Sequence, residues 1–423
     1  MKSEIKKRLE MIRRGEVPAG YKKTKEGIIP KEWEIKSLAE CCYEKGMYGI
    51  NAPAVEYDET LPLYLRITDI DEYGRFNKSR KVSVKCSDCN KYYLNDGDIL
   101  FTRTGSTTGK AYLYNEKDGA IVFAGFLIKF SPKKNVLNPK ILKLYSETAK
   151  YWEWVKVMSA RSGQPGINSE QYSELKMPVM KLTEQNKIAE FLSCWDEIIE
   201  KYEKLIELKK EQKKGLAYKL LTGKIRLANF KGKWQSKHMH EIANEITIIN
   251  RQSKEFTVLS CTKYSGLVPS LEYFGRKVFS NDVSKYKIVP RNSFAYATNH
   301  IEEGSIGYQN KYENALISPM YTVFKTNSEI NNDYLHFLLK TDFMINEYKK
   351  RMEGSIDRRG GLRWNNFSKI KLAFPSCQEQ EAIAKILTTA DKEIELLEKE
   401  LEMIKEQKNG LMELLLTGIV RVK

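Results

Sequence analysis

Arg103-Thr-Gly-Ser-Thr-Thr-Gly-Lys110 sets two cations and a run of hydroxyls around closely spaced glycines. Such a segment invites comparison with a phosphate-binding loop. A Walker A loop needs four residues between its glycines, and a Ser or Thr after its Lys to hold Mg²⁺. Here three residues separate Gly105 from Gly109, and Ala111 follows Lys110. Nucleotide hydrolysis is therefore not expected. Two readings remain. One is a small-residue turn whose amides, hydroxyls and cations approach a DNA backbone or base edge. The other is a solvated hairpin.

A second cluster, Arg161-Ser-Gly-Gln-Pro-Gly166, has a counterpart in Asp357-Arg-Arg-Gly-Gly-Leu-Arg363. Arg can fork to guanine and Gln to adenine; alternatively, these glycines only turn the chain. Cys86-Ser-Asp-Cys89 is a lone CxxC, and a structural zinc site needs four ligands, so no metal is expected. His238 and His240 read as surface residues beside Lys237. No adenine-methyltransferase Asn/Asp-Pro-Pro-Tyr tetrapeptide, FxGxG loop, helicase P-loop or nuclease carboxylate-Lys cluster is found. The expectation is a chain that chooses a site and catalyses nothing. The candidate DNA contacts in the first half are Arg66, Lys78, Arg80, Lys81, Arg103, Thr104, Ser106, Thr107, Lys110, Arg161 and Gln164. In the second half they are Lys263, Tyr296, Asn299, His300, Arg358, Arg359 and Arg363.

These clusters belong to an internal repeat. Thr183–Leu227 aligns without a gap on Gln378–Val422 at an offset of 195, bringing Glu184-Gln185 onto Glu379-Gln380 and Leu221-Thr222-Gly223 onto Leu416-Thr417-Gly418. The offset also brings Arg226 onto Arg421 and Ser173–Lys176 onto Ser368–Lys371, and it slips only near Trp33, which matches Trp234. Each aligned block carries a heptad-like seam. In the first it is Ile188, Leu192, Trp195, Ile199, Tyr202 and Ile206, with Leu216 further on. In the second it is Ile383, Leu387, Ala390, Ile394, Leu397, Leu401 and Ile404, with Leu411 further on. A 4-3 spacing puts a narrow apolar stripe on one helix face, which must be buried on another helix. Thirty-five to forty residues at 1.5 Å each make a rod of about 55 Å. The nearest partner is the other copy; homodimerisation is the alternative. Gly223 and Gly418 suit left-handed helix ends.

Between the helices, short apolar runs separated by Gly, Asn and Asp predict strands at Asp98–Thr102, Ala120–Phe130, Phe256–Cys261, Asn292–Ala297 and Tyr321–Lys325. Helices are predicted at Pro139–Val157 and Asn331–Arg351. The fold class is α+β. The boundaries are an N-terminal helix and linker over 1–29, a variable domain over 30–182, a helical block over 183–227, a second variable domain over 228–376, and a second helical block over 377–423. The seam Ile5, Leu9, Ile12 suggests that the N-terminal helix is a partial third copy closing a pseudo-circle, or else a free basic helix.

Net charge is +16 over 423 residues, which favours a polyanionic partner. The helical blocks carry +2 and −3, so the excess sits in the variable blocks (+4 and +8) and the N-terminal segment (+5). No apolar run of 18 residues exists, so no membrane span is expected. The N-terminus lacks the apolar stretch of a signal peptide, and seven Cys at irregular spacing read as free thiols in a reducing cytoplasm.

Gly20–Trp33, Asp96–Lys110, the EQ…IA helix starts and the endings LLTGKIR and LLTGIVR resemble Type I restriction-modification specificity (S) subunits, over essentially the whole chain. The resemblance implies two tandem α+β target recognition domains, joined and spaced by two long antiparallel coiled-coil helices with pseudo-two-fold symmetry. It further implies that each domain reads one half of a bipartite double-stranded DNA site. The helices would set the spacer and dock two methyltransferase (M) subunits, with restriction (R) subunits where present. S-adenosylmethionine, ATP and Mg²⁺ would then belong to those partners, and this chain would hold no cofactor.

Overall fold

The structure, a computed structural model, describes residues 3–160, 164–352 and 361–422. The chain divides into two compact units, residues 1–202 with 400–423, and residues 203–399. Each long helix spans 40 residues, Leu182–Leu221 and Cys377–Leu416, and contributes one half to each unit. Among the described residues no helix is long and apolar enough to cross a membrane.

The first unit is organised by a four-stranded antiparallel sheet in the order 47–48, 127–130, 99–102, 111–113. A second sheet, ordered 121–123, 63–65, 82–84, 54–56, stands beside it. The predicted strand Ala120–Phe130 is thus two strands, broken at Ala124-Gly125-Phe126 and assigned to different sheets. The predicted helix over 139–157 is also two pieces, Pro139–Tyr145 and Ala149–Met158. The break occurs because Thr148 caps the second piece through the Tyr151 amide, while Asn138 caps the first. The core joins Phe101, Phe130, Tyr151 and Tyr172 of this layer to Ile188 and Leu192 of the first helix and Met412, Leu415 and Leu416 of the second.

The second unit repeats the plan. Strands 243–246, 321–326, 293–297 and 306–309 adopt the same sheet order. Helices Asn332–Leu339 and Asp342–Arg351 are again separate pieces, capped by Asn331 and Thr341. Two-stranded ribbons close the base of each unit, 34–37 with 176–179 and 235–238 with 371–374.

The repeated motifs explain why each helix sits where it does. The buried Gln185 takes the Asn138 amide on Oε1 (2.7 Å) and donates from Nε2 to the Val136 and Met180 carbonyls (both 2.8 Å). Gln380 does the same with the Asn331 amide (2.9 Å) and the Glu329 and Pro375 carbonyls (3.2 and 3.0 Å). The preceding Glu of each pair reaches the Arg that ends the other helix. Arg421 forks onto Glu184 (2.6 and 2.9 Å) in the first unit, and Arg226 onto Glu379 (2.6 and 2.8 Å) in the second. Start meets end in both units, so the helices pair antiparallel within one chain.

The seam is buried at Ile188, Leu192, Ile199, Ile206, Ile383, Leu387, Ile394 and Leu401, and half-buried at Trp195, Tyr202, Leu216, Leu397, Ile404 and Leu411. Lys408–Asp196 (2.7 Å) and Lys213–Asp391, again 195 residues apart, flank it. Gly223 (φ 70°) and Gly418 (φ 73°) take the left-handed conformation that closes each helix. The N-terminal helix, Ser3–Arg13, donates from Arg8 to the Ile419 carbonyl (2.7 Å), so it touches the C-terminal tail.

Free thiols were expected throughout, yet Cys86 and Cys89 are joined as a disulfide, their Cα atoms 5.7 Å apart on one turn. The other five cysteines are free.

His336, in the second unit, is pushed down to about 4 by burial and by the nearby Lys340 and Lys213. It is therefore neutral when folded and takes up a proton on unfolding below about pH 6.5. The unfolded chain binds more protons between these values, so stability is whole above 6.5 and falls toward pH 4. The wild type should lose about 2 kcal/mol more than His336→Gln between pH 7 and 4.5, measured by urea melts. Parallel losses in the two proteins would refute this.

Candidate nucleic-acid interface

In the first unit, the strand over 99–102 delivers Arg103 to one end of the central sheet. Its N–H bonds the Phe126 carbonyl (3.0 Å) and its own carbonyl accepts the Ile167 N–H (2.9 Å). Gly105, at φ +77°, bonds the Pro165 carbonyl (3.1 Å), and Thr104 bridges Gly166. Gln164 packs close enough that a Cβ on Gly105 would lie 3.2 Å from its amide nitrogen. The loop over 103–108 and the segment 164–167 therefore form one clasped platform. Beside it lies a cavity of about 560 Å³, lined by Tyr48, Tyr64, Arg66, Thr68, Arg103 and Phe126 among others. Burial raises the Tyr64 hydroxyl, which stays a neutral donor to the Ile50 carbonyl (2.8 Å).

The second unit builds the same platform. The Leu362 N–H donates to the Thr298 carbonyl (2.9 Å), the counterpart of Ile167 on Arg103 at the 195 offset. A cavity of about 270 Å³ opens there, lined by Thr298, Asn299, His300, Met320 and Tyr321 among others. Here Arg103 is replaced by a neutral Thr298, whose hydroxyl donates to the Met320 carbonyl (3.0 Å).

The structure gathers only some of the candidates at these platforms. Arg66 lines the first cavity but is held bidentate by the buried Asp69 (2.8 Å twice). Ser106 and Gln164 are exposed at the loop; Thr107 is half-buried, its hydroxyl without a partner among the described residues. Lys78, Arg80 and Lys81 sit apart on an exposed turn, with Lys78 paired to Asp118 (3.0 Å) and Lys81 over the Tyr57 ring. Lys110 does not join Arg103. It lines a different cavity with Trp152, Asp196 and Lys408, because the hairpin carries it toward the long helices. Tyr296 is a correction as well: it is fully buried against Phe324 and Phe367, as part of the core. Asn299 and His300 line the second cavity, while Lys263 and Arg363 are exposed. Arg161, Arg358 and Arg359 lie outside the described residues.

Sequence reasoning missed Tyr48, Phe126 and Met320. Phe126 is 57% exposed and Met320 65% exposed, each in the turn before the same strand of the central sheet. A Gly-Phe turn inside an otherwise apolar run was the available signal. His300, Glu302 and Glu303 bring one ligand atom each to within 4.8 Å of one another, a grouping that depends on the turn over Ile301–Glu303.

Comparison with known proteins follows the same duplication. The profile of the Type I restriction modification DNA specificity domain matches residues 30–210 and again 227–406. The chain belongs to this family and carries two tandem copies of its domain. It is 30% identical over 437 residues to a protein of Methanocaldococcus jannaschii named as a type I restriction enzyme MjaX specificity subunit, covering 95% of this chain and 97% of the relative. It is 28% identical over 434 residues to the MjaVIII specificity subunit of the same organism, covering 93% and 94%. Among solved structures, it resembles a chain from work on complex assembly and conformational transition of the type I R-M system (TM-score 0.55, 12% identity, 93% and 99% covered). It also resembles the Type I restriction-modification S subunit from M. genitalium (TM-score 0.51, 18% identity, 91% and 96% covered). At these identities the likeness speaks for the fold.

Proposed function

We propose that this chain is the non-catalytic specificity subunit of a Type I restriction-modification complex, each recognition domain reading one half of a bipartite, asymmetric DNA site. The observation that carries this reading is the duplicated platform. Two loops in the same register present different side chains, Arg103 and Thr104 against Thr298 and Asn299. Equivalent placement with unequal chemistry suits two unlike half-sites. The long helices set the spacer and dock two methyltransferase subunits, and restriction subunits join where present. The exposed Phe191, Ile198 and Leu205, seven residues apart on the first helix, support docking there. S-adenosylmethionine, ATP and Mg²⁺ are assigned to those partners and none to this chain. The recognition domains are taken as 30–182 and 228–376, the spacers as 183–227 and 377–423, and 1–29 as the N-terminal helix and linker.

The test uses the chain co-purified with its methyltransferase partner. Its affinity for the motif mapped from host methylation should exceed that for scrambled DNA at matched salt by about 10³-fold or more. Equal affinity would sink the proposal. Exchanging residues 228–376 for another member's block should then change one half-site alone, and lengthening the helix after Ile206 should change only the spacer. A change in both half-sites on either manipulation would contradict the division of labour.

A further inference from the structure

We infer that Arg103, lying over the Tyr48 ring, is the guanine-reading residue of the first unit, and that the second unit makes no equivalent contact. The inference rests on the specificity reading above and deepens it to one residue and one base.

The geometry of the side chain points to this role. The Arg103 Cζ lies 4.7 Å from the centroid of the Tyr48 ring. Tyr48 is itself fixed, since its hydroxyl accepts the Ser169 N–H (3.0 Å) and its strand pairs with Ile128. A cation–π contact with a pinned ring narrows the directions the guanidinium can take. Its Nε is buried and meets no acceptor among the described residues, and no described carboxylate pairs with it. Arg66 on the same cavity is different, since Asp69 takes its fork. Among the described residues, Arg103 is therefore the cation at this cavity whose terminal nitrogens remain for a ligand. A planar fork held rigidly matches the O6 and N7 acceptors of guanine in the major groove, and it prefers them to adenine, which offers a donor in place of O6.

A phosphate contact would need no such preparation, because Lys or a mobile Arg at the rim serves equally well. At the matching position of the second unit, the Thr298 hydroxyl is already engaged by the Met320 carbonyl and the Asn299 side chain (3.0 and 3.2 Å). The same platform therefore reads different bases on the two units.

The experiment is selection from a pool of randomised duplexes by the chain with its methyltransferase partner, followed by sequencing. The half-site belonging to the first unit is identified by the exchange of residues 228–376. Wild type should fix one guanine in that half. Arg103→Ala and Arg103→Lys should each make that position degenerate, lowering discrimination by roughly tenfold to a hundredfold, with the other half unchanged. Tyr48→Ala should relax the same position in part. Arg103→Lys keeps the charge and the stem, so it carries the test if Arg103→Ala fails to fold. A bipartite motif without guanine in the first half overturns the assignment and leaves the specificity reading standing. So does an unchanged motif with uniformly weaker binding and a salt slope lower by about one, which marks a phosphate contact. A pool that yields no motif overturns the specificity reading and this assignment together.

Discussion

Trp33→Ala should lower the stability of the chain by about 4 kcal/mol, and Trp234→Ala, its counterpart in the second copy, by about half as much. Trp33 is fully buried. Its Nε1 donates to Glu184 (3.1 Å), Arg421 lies over its ring at 5.5 Å, and a Cβ on Gly418 would come within 3.2 Å of it. Removing the ring opens a void and strips Glu184 of one of its donors. Trp234 is half-buried, and its Nε1 finds no partner among the described residues, although Arg226 still covers the ring at 5.6 Å. It has less packing and no hydrogen bond to lose. Denaturant melts of the two variants decide the matter, and equal losses would show that the copies are energetically alike.

The second large effect concerns the crossed ion pairs. Arg421→Ala should cost about 3 kcal/mol, because it leaves the buried Glu184 carboxylate with the Trp33 indole in place of a guanidinium fork. The guanidinium end is 23% exposed and the carboxylate end 7%, so Glu184→Ala should cost less, since water can reach the orphaned Arg421. The double replacement Arg421→Leu with Glu184→Leu should recover most of the loss, as neither charge is then stranded. A double-mutant cycle measures the coupling. Additive losses would mean that the pair contributes nothing beyond its separate contacts.

Much of this framework is legible in the sequence, for a physical reason. A duplicated chain must satisfy the same unpaired groups twice, so Glu184-Gln185 and Glu379-Gln380 recur with the Arg residues they hold. The seam was equally readable, because helical packing imposes a period that few other structures share. The recognition layer was less so. Ser293–Ala297 is buried at every position, so the alternation that separates an inward from an outward Tyr is missing, and Tyr296 could not be told from a surface residue. Arg103 was identifiable as a candidate, but its partner was not. Tyr48 lies 55 positions earlier in the chain, and only the pairing of strand 47–48 with 127–130 brings it under the guanidinium. Lys110, seven residues from Arg103, was grouped with it by proximity in sequence, yet a turn of hairpin reverses its direction. Local spacing reports helices well and the aim of loop side chains poorly.

The glutamine clamps carry a mechanical consequence. Gln185 and Gln380 each bind two carbonyls and one amide of the layer preceding their helix, and the neighbouring Glu is tied to the opposite helix end. Within each unit, turning the layer against its helix start would break these three hydrogen bonds together, so layer and helix start move as one piece.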